Sequence, residues 1–172
     1  MKLKLFLLTL LISPNLFAAR ICEDYITDEW PDHRYQIDSV SEVVTDMGTG
    51  LMWKRCSEGL SGGNCEIGVA STHGIGNALA IPAAINSTTG FAGHADWRLP
   101  NIEELRSIAA INCYRPAINE IAFPNTRSDL FWSSSPINFN DSNGWNINFS
   151  HGTDIPDNSG FNVLVRLVRT AD

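Results

Sequence analysis

The chain has 172 residues, 44% of them hydrophobic, and a formal net charge of −7. Setting aside an N-terminal leader leaves roughly 150 residues, which suits a single domain with a real core. The acidic balance, with no basic run in the sequence, argues against nucleic-acid binding, because a negative surface repels phosphate backbones.

Residues 1–19 read as an export signal. Lys2 and Lys4 form a short positive region, and Leu5 to Ile12 is an apolar run too short to span a bilayer. Pro14 breaks it, and Phe17-Ala18-Ala19 supplies small residues for cleavage after Ala18 or Ala19. No Cys sits there to carry a lipid anchor. No later apolar run approaches the ~18 residues of a membrane span. Residues 20–172 are therefore expected to be one exported domain with no span, periplasmic, at the cell surface or secreted.

Residues 20–40 are polar and irregular, with a break at Trp30-Pro31. Val40 to Thr45 reads as a strand, Asp46 to Gly50 as a turn and Leu51 to Arg55 as a second strand, which predicts a hairpin over 40–55. Residues 74–86 have helical composition, with Ala78, Leu79, Ile81 and Ile85 near helical spacing. Pro82, inside that pattern, should kink the helix or mark its start. Between Gly93 and Leu105 the local choices are unusually committed. Pro100 keeps the chain extended, and Asn101 with Glu104 three residues on forms a capping-box pattern. The helix that follows is predicted from about Ile102 to Ile111, with Leu105, Ile108 and Ala109 on one face.

Residues 114–130 are irregular and contain Pro116 and Pro124. Three strands are then predicted, at 131–135, 144–149 and 162–169, and in the second of them Trp145, Ile147 and Phe149 alternate. The expected fold class is α+β: small antiparallel sheets, two helices and long loops.

Four cysteines in an exported chain suggest two disulfides, for which three pairings exist. The turn-rich residues 57–64 can bring Cys56 to Cys65, which leaves Cys22 to pair with Cys113. A zinc site fits poorly, because there is no CxxC pair and the four His are scattered. His94 and Asp96 point the same way in an extended segment, so they can be an acid–base or metal-ligating pair, or a surface His beside an Asp that caps a turn. Residues 140–144, with Asp154 and Asp157, carry oxygen donors that suit either calcium or an Asx-type turn. Trp53, Trp97, Trp132 and Trp145 read as core residues, because Trp brings large burial, while polar neighbours make Trp145 and Trp30 the better candidates for stacking on a sugar. Arg98, Arg166 and Arg169 read as structural, with Arg166 and Arg169 as an alternative small anion patch.

Five segments occur in order: 45–53 (TDMGTGLMW), 93–100 (GHADWRLP), 122–126 (AFPNT), 131–135 (FWSSS) and 165–169 (VRLVR). Together they resemble the C-terminal domain family of the bacterial collagen-like adhesin Lcl, over about residues 40–169. The resemblance implies a C-type-lectin-like fold, related to the formylglycine-generating sulfatase-modifying domains, in a typically exported protein. The adhesin itself binds sulfated glycosaminoglycans through this domain. The present sequence departs from it in its acidic charge and in having no Gly-X-Y tract.

The expected function is a non-enzymatic ligand-binding module without a cofactor or catalytic residue, calcium being the one ion considered. A rigid scaffold would present loops 133–162 to a glycan or protein. The candidate contact residues are Asn138, Asn140, Asp141, Asn143, Trp145, Asn146, Asn148, His151, Asp154, Asp157 and Asn158. The alternatives are a structural subunit of a surface or pilus-like assembly, a sulfatase-modifying-type enzyme using Cys56 and Cys65, and a retroelement-diversified variable protein, given the Asn-rich 131–165.

Overall fold

The structure is a computed structural model that describes residues 20–137, 143–157 and 160–172; the proposed leader lies outside them. The N-terminal half contains β1 (Ile21–Cys22), β2 (Tyr35–Asp38), β3 (Val43–Asp46), β4 (Leu51–Lys54), β5 (Leu60–Ser61), β6 (Ile67–Gly68), β7 (Thr72–His73) and helix α1 (Ile75–Asn86). Helix α2 (Ile102–Ser107) follows, then β8 (Cys113–Tyr114), β9 (Leu130–Pro136), β10 (Gly144–Asn148), β11 (Thr153–Asp157), β12 (Val163–Leu164) and β13 (Val168–Thr170).

Two sheets carry the architecture. One is antiparallel, in the order β13-β4-β3-β2. The other runs β11-β10-β9-β12-β7, with β12 parallel to β9 and the remaining pairs antiparallel. This is the mixed α+β class, with two helices and mostly small antiparallel sheets. Both disulfides form as expected, Cys56–Cys65 and Cys22–Cys113.

The predicted hairpin is present as β3 and β4, with Asp46 opposite Leu51. Val40 is not in its first strand. The Asp38 carboxylate accepts the N–H groups of Val40 and Ser41, which turns the chain before β3 begins. The segment read as irregular contributes β2, a four-residue strand too short to show a period. Helix α1 starts at Ile75, so Pro82 lies inside it and does not mark its start; it is buried on the same face as Ile75 and Ala78. Helix α2 stops at Ser107, where Ile108 and Ala109 donate to Leu105 and Arg106 three residues back, a 3-10-type tightening. The predicted strand at 162–169 is two strands in different sheets. Between them Val165, Arg166 and Leu167 cross from sheet to sheet fully buried. Burial along the whole run makes it read as one continuous apolar segment.

Two cores result. Val44, Trp53, Leu105, Ile108, Phe123, Phe131, Ile147 and Phe149 fill the space between the sheets and α2. Trp97, Leu99, Trp132, Val163 and Val165 pack with Ile75 and Ala78 of α1. The aromatic rings meet edge-on, Phe131 against Phe149 at 5.1 Å and Trp53 against Phe123 at 6.4 Å.

Candidate functional site

The residues around 93–105 form a joint. Asn86, at the end of α1, clamps the Trp97 backbone: its Nδ2 donates to the Trp97 carbonyl at 2.7 Å and its Oδ1 accepts the Trp97 N–H at 3.1 Å. Arg98 pairs through its backbone with Val168, and its guanidinium grips both Glu104 oxygens at 2.6 Å. Asn101 and Glu104 close the predicted capping box. Burial pushes the Glu104 carboxyl up, but Arg98 and the Asn101 N–H hold it below its ordinary value. Pro100 offers its carbonyl to the N–H and hydroxyl of Ser134, and the Ser135 hydroxyl accepts the Ile102 N–H. The two motifs 93–100 and 131–135 thus lock one to the other.

His94 and Asp96 face different partners. Asp96 accepts from Arg169 Nε at 2.8 Å, and Arg169 also donates to Asp172. His94 Nδ1 stands 3.9 Å from Asp172. Arg169 is thus held between two carboxylates with its side chain 7% exposed, and Arg166 is fully buried. The alternative of an anion patch at these two arginines is overturned.

Arg166 is instead the internal tie of the domain. Its guanidinium donates to the carbonyls of Lys54 and Arg55 and to the hydroxyls of Ser57 and Thr126, and it lies over the Phe123 and Phe131 rings at 4.9 and 5.7 Å. Burial lowers its pKa to about 9, still charged at neutral pH. Thr126 in turn donates to the Phe123 carbonyl. The motifs 122–126, 131–135 and 165–169 meet at this one side chain.

Of the expected contact residues, Asn138, Asn140, Asp141 and Asn158 lie outside the described residues. The others fall on or beside the β10–β11 hairpin, whose register puts Trp145 opposite Pro156 and Ile147 opposite Asp154. Strand alternation places Trp145 and Asp154 on the α2 side. Trp145 is half-buried there, and Asp154 Oδ2 accepts from Arg106 at 2.9 Å. Arg106 also holds Glu103 at 2.8 Å. This engagement of Asp154 removes a carboxylate from the calcium reading. Asn146 points to the opposite side, beside Trp132, and is fully buried, so it is not a surface contact. Asn148 is half-buried and accepts the Ser150 N–H at 2.8 Å, a turn-holding role. His151 is exposed in the turn that joins the strands. Asn143 lies at the other end, where it lines a small pocket of about 240 Å³ with Ile75 and Leu79. Asp157 is there too, paired in register with Gly144. Four residue steps, about 14 Å, separate those two ends.

The expectation for Trp30 is also corrected. Its ring is buried in the first core and its Nε1 donates to the Ser107 carbonyl at 2.7 Å. Sequence reasoning missed Arg106, Glu103 and Pro156. The first two look like ordinary helix charges, and Pro156 argues against a strand, although an edge strand tolerates it.

The family model for the Lcl C-terminal domain matches residues 42–169, from just before β3 through most of β13. The chain belongs to the Lcl C-terminal domain family. No curated protein matches it. The match to the Lcl C-terminal domain takes in both large sheets, except β2, and both helices. Four of the five segments that carry the likeness are those joined at Arg98–Glu104, Pro100–Ser134 and Arg166. They mark the scaffold of an Lcl C-terminal domain, on which the hairpin is mounted through the β9–β10 pairing.

Proposed function

We propose that this Lcl C-terminal domain is an exported, non-catalytic binding module. It engages a glycan or protein through the β10–β11 hairpin and its flanking loops, residues 133–162. Trp145 carries the reading. The other four tryptophans are buried, whereas Trp145 stands half-exposed on a paired strand, opposite Pro156 and on the same side as the Arg106–Asp154 ion pair. A rigid aromatic surface flanked by charge suits stacking on a sugar face or anchoring a protein side chain.

The N-terminal leader pattern and the two disulfides support export. The non-catalytic reading is supported by the cysteines. Cys56 and Cys65 are bonded to each other with 2% and 1% exposure, which leaves no accessible thiol for sulfatase-modifying chemistry. A glycan array with the oxidised protein, followed by fluorescence titration of the hits, tests the proposal. Trp145 should be the indole that responds, and Trp145→Ser should weaken binding by roughly tenfold or more without changing the fold. A blank array together with concentration-dependent oligomers would reassign the hairpin to assembly.

A further inference from the structure

The outward face of the sheet β13-β4-β3-β2 is only partly covered. Phe91 and Met52 each pack against the second core, and Lys54 Nζ lies over the Phe91 ring at 4.4 Å. The remainder is an open groove of about 520 Å³, remote in sequence from the hairpin. Val43, Thr45, Met47 and Met52 line it, with Asp38 on β2 and Asp172 beyond β13. Met47 is 64% exposed. A solvent-facing antiparallel sheet normally presents polar side chains. Two methionines at an open groove are instead the adaptable apolar surface found at protein-binding sites.

The charge at the groove is net negative: the Arg169 guanidinium, 3.8 Å from Met52 Sδ, is already held by Asp96 and Asp172. Its charged lining residues are carboxylates, and no aromatic ring lines it among the described residues. The Ser41 N–H holds Asp38 below its ordinary value, and Arg169 does the same for Asp172, so both are anionic at neutral pH. Asp172 shares Arg169 with Asp96, which leaves that cluster with a net negative charge. Strand β2 is also the edge of the sheet. The Met47 N–H donates to the Arg34 carbonyl, and this sets the alternation so that the Ile37 N–H and C=O point away from β3. That open edge can pair with an added strand.

We propose that the groove docks an extended basic and apolar segment of a partner protein, an apolar side chain over Met47 and Met52 and cationic groups at Asp38 and Asp172. Carboxylates at the groove repel nucleic acid and anionic lipid. A sugar would find no ring to stack on.

The chain has three methionines, and the two beyond Met1 both line the groove, so methionine-methyl NMR reads it directly. The probe is a capped Lys-Val-Leu-Val-Lys peptide, compared with Glu-Val-Leu-Val-Glu and Lys-Ser-Ser-Ser-Lys. Saturable shifts of both methyl signals are expected with the first, and binding of the other two about tenfold weaker or less. Met47→Lys should abolish the Met52 shift, and Asp38→Asn should weaken binding severalfold. Trp145→Ser should leave it unchanged, which separates this site from the hairpin. Silence of both methyls at millimolar peptide, or an equal response to the acidic peptide, would overturn the proposal. Methyl shifts on concentrating the protein alone would overturn it in favour of a second copy of the chain.

Discussion

At Arg166 one buried guanidinium satisfies four acceptors from two distant parts of the chain, 54–57 and Thr126, and among the described residues no carboxylate hydrogen-bonds to it. A lysine has three donors on a single nitrogen and cannot serve that spread of carbonyls and hydroxyls. Arg166→Lys is expected to destabilise by about 2–4 kcal/mol, which thermal unfolding would register as a drop of roughly 10 °C. Asp46 makes a different prediction, about pH. It is fully buried; burial alone would raise its pKa, but the paired Arg34, the Gly48 N–H and Thr49 bring the net shift below the ordinary value. A carboxylate depressed in the folded state contributes fully above its unfolded pKa of about 4, and its contribution is lost as pH falls through the lower folded value. The melting temperature should therefore hold from neutral pH down to about pH 5 and decline below about pH 4. Asp46→Asn should lower it at neutral pH and flatten the acid limb. An acid limb unchanged in the variant would show that other carboxylates control it. Neither residue was legible as a tie: Arg166 read as one of several structural arginines, and Asp46 as a turn residue. Each depends on partners from distant segments, which spacing along the chain cannot reveal.

At the scale of the element, the sequence was readable wherever the cause of structure was local. The capping box at α2 was legible because Asn101 and Glu104 are three residues apart and each satisfies the other's backbone N–H. The hairpin β3–β4 was legible because a Gly-rich turn separates two apolar runs. Strand β11 was not, since it contains Pro156 and gains its order from pairing with β10. The split of 162–169 was hidden because the crossing residues are as apolar as the strands on either side. At the candidate site, Trp145 was named for its polar neighbours and Asp154 for its oxygen donors, and the structure sets both on the α2 side of the hairpin. The burial of Asn146 was missed because this sheet is covered on both faces: Asn146 sits opposite Trp132, which packs in the second core. The α2 joint makes its own prediction. Asn101→Ala removes the acceptor for the Glu104 N–H and should cost about 1 kcal/mol. Glu104→Ala should cost more, because it removes both the acceptor for the Asn101 N–H and the two-point grip on Arg98. Hydrogen exchange of residues 102–107 would report both as faster local opening, whereas unchanged protection would place the stability of the helix entirely in its Leu105 face.

At the scale of the molecule, the two disulfides do unequal work. Cys56–Cys65 spans 9 residues and Cys22–Cys113 spans 91. If a crosslink acts by restricting the unfolded chain, the first is worth about 2.7 kcal/mol and the second about 4.6 kcal/mol. That difference survives only if the segment after Cys22 stays docked when the bond is cut. The contacts argue that it does: Glu23 N–H donates to the Asn112 carbonyl, Asn119 Nδ2 donates to the Trp30 carbonyl and to Asp32, and the Trp30 ring sits in the first core. Cys22→Ala with Cys113→Ala should therefore lower the melting temperature more than Cys56→Ala with Cys65→Ala, by several degrees. The reverse order would mean that packing around the buried Cys56–Cys65 pair outweighs chain entropy. A Cys22/Cys113 variant with almost no loss, and with rapid exchange at Glu23, would mean that the N-terminal segment detaches on its own and that the sheets stand without it.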